Sequence, residues 1–425
     1  MRVLVVGSGA REHALVQSLL ADEDVSEVLC APGNAGISQI ARTFPVDVSD
    51  PGAIAALSQR LDCDLVVIGP ELPLVNGAAD AVRALGIDCF GPSAEAARLE
   101  GSKAFAKEVM AQAGVPTAAS VICTSMEEVS EALDRFGSPY VVKDDGLAAG
   151  KGVVVCEERQ IALDHAAACL AKPGGRVVIE EYLDGPEVSV FGVSDGWTVR
   201  PLQPAQDFKR LRDDDLGPNT GGMGAYSPLP WAPDALVDEV TRTVLQPMID
   251  AMGARGTPFA GLLYAGLALT SHGIQVVEFN ARFGDPETQV ILARLQSPLG
   301  ALLKAAATAQ LASLAPLQWS PEAAVTVVIA AQGYPEHPRL GEEVGGLVEA
   351  GAIPGVVVLH AGTRNDESGR IVSAGGRVLS VTATGANLAQ ARERAYLAVD
   401  CITIAHAQHR CDIAQVASAE EGRSP

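Results

Sequence analysis

The first hundred residues repeat one pattern, and that pattern admits few folds. Short apolar runs rich in β-branched residues (RVLVVG, SEVLCA, DLVVIG, IDCFG) each end at Gly or Pro, and stretches of helical character such as REHALVQSLLA separate them. Runs bounded by turn residues and alternating with helix-length segments mark βαβ units, whose crossovers force the strands to lie parallel. The expectation is a doubly wound parallel sheet over residues 1–102. Such sheets bind ligands at the carboxyl ends of their strands, here the loops GSGAREH, APGNAG and GPE.

GSGAREHA is not a dinucleotide turn. The Gly-x-Gly-x-x-Gly fingerprint fails because Glu12 stands where the third glycine belongs. VLCAPGNAG, after the second strand, also carries no acidic residue to read a ribose. Arg11 at a helix start, beside backbone N–H groups, suits a phosphate. It suits a surface arginine on a tight turn equally well, and the spacing leaves both readings open.

Composition narrows the class. Of 425 residues, 48% are hydrophobic and 20% charged, as in a globular enzyme, and no apolar run approaches the roughly 20 residues of a membrane span. The N-terminus reads as a first strand, not a secretion signal, so a cytoplasmic protein with no membrane partner is expected. A formal net charge of −21 argues against nucleic acid, and any anionic substrate must be held by local groups acting against the global field. The eight cysteines form no Cys-x-x-Cys pair and read as reduced thiols.

From GSKAFAKEVMAQAGVPTA the texture changes. A helix carrying Lys103 opens a central region, 103–315, that contains a smaller αβ unit at about 121–190. LAPLQWSPEA is the linker into a strand-rich unit, 316–425. Within the central region VVKDDGLAAGKGVVV (141–155) imitates a P-loop. Only three residues separate Gly146 from Gly150, however, and Gly152 follows Lys151 where a metal-binding hydroxyl is required. The apolar Val153–Val155 run predicts strand, glycine-rich loop, strand, with Lys143 near the end of the first strand.

QVVEFNARFGDPETQ (275–289) is the most informative stretch. Strand alternation predicts Val276, Glu278 and Asn280 on one face, the carboxylate and the amide about 6–7 Å apart. Two oxygen donors so placed fit one hard cation such as Mg²⁺ shared with phosphates, and Arg282 continues that side towards a transferring phosphoryl group. RVVIEEYLDGPEVSV offers Glu180, Glu181 and Glu187, which alone also read as a solvated strand face. DLGPNTGGMGAYSP has four glycines between Gly217 and Gly224, a loop able to bring backbone amides close to an anion.

Lysines beside a hairpin flap and a metal strand much later in the chain resemble the ATP-grasp superfamily. The ordered motifs GSGAREHA, APGNAG, GPELPL, LEGSKAFAK, DGLAAGKGVVV, GPNTGGMGAYSP and EFNARFGDPETQ resemble, within it, the phosphoribosylamine–glycine ligase family. AAQGYP, HAGT and AGGRVLSVTA extend the likeness through the C-terminal unit. The resemblance implies an ATP-grasp domain with a mobile flap over ATP, and formation of glycinamide ribonucleotide from glycine and 5-phosphoribosylamine through a glycyl phosphate. It implies Mg²⁺ or Mn²⁺ on Glu278 and Asn280, with Arg282 and Lys143 acting in catalysis. Lys103, Lys143, Gly146, Gly150, Lys151 and Gly152 would hold or cover ATP phosphates. Glu180, Glu181 and Leu183 would form the adenine hinge, and Glu187 would meet the ribose. Gly9, Arg11, Asn34 and Glu71 would hold phosphoribosylamine, and Asn219, Thr220, Gly221, Gly222 and Asp285 would lie on the glycine and sugar-phosphate side. A monomer or small homo-oligomer is expected. The chain departs from the family pattern at Ala10, at Asp144, at Phe208 (histidine is usual there) and in RCDIA near the end. Asp144 would either weaken the positive potential at Lys143 or pair with it. The alternatives are another ATP-grasp carboxylate–amine ligase and a non-catalytic nucleotide sensor.

Overall fold

The computed structural model describes residues 1–147 and 152–421. Its first domain is the predicted parallel sheet. Strands β1 (Arg2–Gly7), β2 (Glu27–Pro32), β3 (Arg42–Thr43), β4 (Leu65–Ile68) and β5 (Asp88–Phe90) pair in the order β3-β2-β1-β4-β5. Successive strand residues point to opposite faces, so Leu4 and Val6 enter one core and Val3 and Val5 another. Burial on both faces is why β1 is an unbroken apolar run. The strand order changes direction between β1 and β4, so the turns at 7–11 and 69–71 flank the crevice where such sheets bind ligands.

The second sheet is small and antiparallel. Strands β6 (Ser120–Cys123), β7 (Tyr140–Asp144), β8 (Val153–Cys156) and β9 (Val177–Glu180) lie in the order β6-β9-β7-β8. Helices Met126–Phe136 and Arg159–Leu170 cover it, and Val129, Leu133, Val142, Ala166 and Ile179 give this unit a core of its own. β7 and β8 form the predicted hairpin, with Lys143 opposite Val153. Gly150 and Lys151 lie outside the described residues.

The third sheet runs Val199–Pro201, Glu187–Asp195, Ala260–Thr270, Gly273–Asn280, all antiparallel. Glu187, which the sequence reading groups with the flap, is therefore a residue of this sheet. Ser189 lies opposite Gly266, and Gly266 opposite Glu278; in the next row Phe191 faces Tyr264 and Tyr264 faces Asn280. The last strand departs from the alternation expected of it. Leu267 pairs with Val276 but Gly266 pairs with Glu278, so Val277 is the extra residue of a β-bulge. One added residue inverts the parity of everything beyond it. Val276 and Phe279, three apart, both enter the core, and Val276 does not share a face with Glu278. Glu278 and Asn280 stay together beside Gly266 and Tyr264.

A fourth, antiparallel sheet is ordered Gln206–Asp207, Gly224–Ser227, Ala323–Ala330, Arg377–Gly385, Val356–His360, with helix Leu388–Cys401 packed on it. The glycine-rich stretch 217–224 thus leads into a sheet completed by the C-terminal unit. Among the described residues no helix is long and apolar enough to cross a membrane.

First and C-terminal domains meet at two buried histidines. His13 Nδ1 accepts the backbone N–H of His360 at 2.9 Å, and the rings lie 5.7 Å apart. Burial, then the neighbouring His360, pushes His13 down to about 3; burial pushes His360 down to about 4. Both folded values lie below the unfolded value, so stability is full above about pH 6.5 and falls as the unfolded chain alone takes up protons. The loss is about 1.4 kcal/mol per pH unit per histidine and continues down to the folded values. Imidazole NMR should find both rings neutral at pH 5, with the urea midpoint already falling between pH 6.5 and 5. Titration of both rings near 6.5 would refute this account.

Candidate active site

Glu12 explains the failed dinucleotide fingerprint. Its carboxylate, almost wholly buried, accepts the Gly9 N–H and Arg11 Nε, each at 2.6 Å. A Cβ at Gly7 would come within 2.6 Å of Glu12 Cδ, and one at Gly69 would overlap the carboxylate. The glycines here make room for a side chain, where a dinucleotide turn makes room for a pyrophosphate. Arg11 is buried too and donates to the Phe283 carbonyl at 3.0 Å, so the surface-arginine reading is excluded.

Beyond Phe283 lies the centre of the cluster. Arg282 Nε is 3.1 Å from Glu71, and a terminal nitrogen is 3.1 Å from Glu100. Burial alone would depress the guanidinium, but Glu100 and then Glu71 more than offset it and raise its pKa. Burial likewise opposes ionisation of Glu71, and Arg282 followed by Arg11 outweighs it, leaving that carboxyl below its ordinary value. Burial wins at Glu100, whose pKa is raised. Arg282, Glu71 and Arg11, which the sequence reading assigns to two different substrates, therefore meet at one point. Glu100 was missed, since nothing in LEGSK singles it out.

Glu278 and Asn280 project from the far end of the third sheet. Among the described residues neither side chain has a hydrogen-bond or ion-pair partner, and no group of three or more His, Cys, Asp or Glu is placed to hold a metal. Two oxygen donors on one face do not enclose an ion, but they fit a hard cation that completes its shell with water and substrate phosphate.

Three buried charges join this sheet to the flap. Lys143 Nζ lies 2.8 Å from Glu180 and donates to the Val277 carbonyl at 2.9 Å. Lys107 Nζ lies 3.0 Å from the other Glu180 oxygen and donates to Thr117 Oγ1 and the Ala118 carbonyl, each at 2.9 Å. The bulge residue thus supplies the carbonyl that receives Lys143, as bulges beside active sites re-aim groups. Two ammonium groups against one carboxylate leave a buried positive charge. The Glu180 carboxylate is spent here, so only its backbone is left for an adenine hinge. Lys107 was missed, although KAFAK places it one turn after Lys103. Lys103 Nζ approaches the Gly146 carbonyl at 3.3 Å. Asp144 pairs with Lys172, not Lys143, which corrects the second of its two expected roles.

Glu181 accepts the Ala119 N–H at 2.8 Å, closing the connection between flap and third sheet; the Leu183 N–H has no partner among the described residues. Glu187 pairs with Lys209 at 2.8 Å, and Lys209 also holds Asp207 at 2.9 Å.

Two expectations require correction. The Asn34 amide donates to the Ser8 and His360 carbonyls and accepts from Gly36 and Ile37. All four of its hydrogen-bonding sites are filled, so its side chain holds the turn and not a substrate. Nor does the 217–224 loop offer its amides at 221 and 222 to an anion. Gly221 N–H goes to the Tyr334 hydroxyl and Gly222 N–H to Thr220 Oγ1, while Asn219 pairs in the hairpin Arg210–Arg212/Leu216–Asn219. Arg377, also missed, gathers the Gly221, Gly222 and Asp285 carbonyls and lies 3.2 Å from the Asp285 carboxylate. Asp285 itself borders Gly9. Phe208 lies under the Arg410 guanidinium at 4.8 Å.

Residues 1–100, 101–288 and 324–416 match, respectively, the N, ATP-grasp (A) and C domains of phosphoribosylglycinamide synthetase. The chain is 64% identical over 98% of its length to the phosphoribosylamine–glycine ligase of Streptomyces coelicolor, covering all of that protein. It is 56% identical to that of Mycobacterium leprae, with 100% of this chain and 99% of the relative aligned. The crystal structure of phosphoribosylamine–glycine ligase from Thermotoga maritima superposes with a TM-score of 0.83 at 31% identity, covering 97% of this chain and all of the other. The biotin carboxylase domain of a Hydrogenobacter thermophilus 2-oxoglutarate carboxylase shares the fold alone, with a TM-score of 0.74 at 16% identity over 96% of this chain and 91% of that one.

Proposed function

The chain belongs to the phosphoribosylglycinamide synthetase family, and from that premise we propose that it ligates glycine to 5-phosphoribosylamine. ATP phosphorylates the glycine carboxylate, the amine attacks the acyl phosphate, and glycinamide ribonucleotide, ADP and phosphate leave. The observation that carries this reading is the meeting at Arg282 of the ATP-grasp strand and the strand-end turns of the first domain. A phosphoryl acceptor there lies beside both nucleotide and sugar sites, so positioning supplies much of the rate.

Lys103 and Lys143 would neutralise ATP phosphates, with Gly146 to Gly152 above them. The 181–183 segment would take the adenine, and Glu187 the ribose. Glu278 and Asn280 would hold Mg²⁺ or Mn²⁺, which when bound offsets phosphate charge. Arg282 keeps N–H groups beyond those spent on Glu71 and Glu100, and these would meet the charge developing on the phosphoryl oxygens. Gly9, Arg11, Glu71 and Asp285 would border phosphoribosylamine. No protein nucleophile is required, because the substrate carboxylate is the acceptor.

A coupled ADP assay with each substrate omitted in turn tests the reading. ADP release should require glycine and phosphoribosylamine together. Full turnover with a different amine would favour another ligase, and tight ATP binding without turnover would favour a sensor.

A further inference from the structure

Lys107 is buried beside Lys143 and Glu180, yet the reaction as derived so far gives it no part. We propose that Lys107 is a positioning residue: it takes up the charge of Glu180 and so leaves that of Lys143 for the ATP phosphates. The proposal rests on the reading above of Lys143 as a phosphate ligand, and it adds a residue that acts through Lys143 and not on a substrate.

The two lysines are held unequally. All three side chains are buried, and each ammonium group takes one oxygen of Glu180, Lys107 at 3.0 Å and Lys143 at 2.8 Å. A lysine carries three N–H donors. Lys107 uses its set inside the fold, on Glu180, Thr117 Oγ1 and the Ala118 carbonyl. Lys143 has Glu180 and the Val277 carbonyl, and no third acceptor among the described residues. One cation is therefore fixed, and the other keeps a donor for a ligand.

The cage around Lys107 also sets where Lys143 rests. Thr117 Oγ1 donates to the Val276 carbonyl at 2.6 Å, and the Val276 N–H returns to the Pro116 carbonyl at 2.9 Å. The next residue, Val277, supplies the carbonyl that receives Lys143. On the other side Glu180 ends β9, and the N–H of Glu181 donates to the Ala119 carbonyl at 3.0 Å. Both groups that hold Lys143 are thus tied to the segment 116–119, which Lys107 braces.

Charge decides what each lysine can do. A carboxylate buried against a single ammonium retains it, because parting them leaves both charges uncompensated away from water. With Lys107 in place, Glu180 stays paired when Lys143 turns to a phosphate. Two ammonium groups less one carboxylate also leave one positive charge facing the nucleotide. Burial lowers the pKa of Lys107, with Glu180 opposing and Lys143 reinforcing, as expected of two like charges that share one partner.

Steady-state ADP release with ATP varied, in wild type, Lys107→Met, Lys143→Met and Lys107→Met/Glu180→Gln, tests the assignment. Without Lys107 the Glu180 charge falls wholly on Lys143. A binding-competent state then populated about a tenth of the time raises the ATP KM about tenfold, with the glycine KM within about threefold. The penalty falls on binding, so kcat at saturating ATP should drop far less than in Lys143→Met, which loses the contact itself. Adding Glu180→Gln removes the carboxylate that captures Lys143 and restores one uncompensated positive charge, so the double variant should recover most of the lost ATP affinity. For a brace that served the fold alone, the second substitution would only add damage. Should either variant of Lys107 lack a cooperative thermal transition, Lys107→Arg carries the test. It keeps a cation on Glu180, so an ATP KM near that of wild type is expected, and one raised about tenfold counts against the proposal. Where Lys143→Met raises the ATP KM, a folded Lys107→Met that leaves it unmoved, or a double variant that raises it further, overturns this assignment alone. If Lys143→Met itself leaves the ATP KM at the wild-type value, the phosphate reading of Lys143 falls and this one with it.

Discussion

Replacing Glu278 by glutamine is expected to abolish glycine-dependent ADP release while leaving nucleotide affinity far less affected. Glu278 and Asn280 are neighbours on the face beyond the bulge, and among the described residues neither side chain is spent on a partner. Glutamine keeps the shape and the strand but removes the formal charge that Glu278 would offer a hard cation there. Metal neutralisation of a phosphoryl group is worth several kcal/mol, and about 4 kcal/mol is roughly a thousandfold in rate. The adenine and ribose contacts proposed above lie elsewhere, at 181–187, so ATP should still bind. A variant retaining more than about a tenth of wild-type turnover at ordinary Mg²⁺, a loss under roughly 1.4 kcal/mol, would remove Glu278 from the metal site. The Asn280→Ala variant separates charge from geometry, because it deletes a neutral ligand and should cost less.

That this pair stayed together was legible for an incomplete reason. Simple alternation placed Val276, Glu278 and Asn280 on one face. The bulge at Val277 moved Val276 to the core and left the other two in place. A bulge has no reliable local signal, since it is set by the partner strand and by what the freed backbone group meets, here the ammonium of Lys143. The βαβ rhythm of the first domain was readable because burial on both faces of β1 demands an apolar run and the crossovers demand helices. The partners that tune the site were not readable. Glu100, Lys107, Glu180 as a counter-charge, Lys209 and Arg377 act across large sequence separations, and only tertiary packing brings them to Arg282, Lys143, Glu187 and Asp285. Asn34 shows the opposite failure. A polar residue at a strand end reads as a ligand contact until its four hydrogen bonds are found inside the fold.

Lys143 provides the second large effect, and the buried triad makes the prediction double. Lys143→Met removes a cation that would touch the ATP phosphates both before and during transfer, so kcat and ATP affinity should fall together. A charge-assisted contact contributes about 1.5–3 kcal/mol, which sets the loss in kcat/KM at roughly ten- to a hundredfold per phosphate contact. Stability should change little, because Glu180 still has Lys107 at 3.0 Å and methionine fills the space the lysine stem occupied. Glu180→Leu is the contrasting case. It leaves two buried ammonium groups facing each other with no carboxylate between them, and uncompensated buried charge costs about 3–5 kcal/mol. Denaturant midpoints for the two variants, measured beside their ATP kinetics, should therefore diverge: Lys143→Met stable but slow, Glu180→Leu strongly destabilised. If Lys143→Met unfolded as readily as Glu180→Leu and its folded fraction kept the wild-type ATP KM, Lys143 would be a structural counter-charge for Glu180 and not a phosphate ligand.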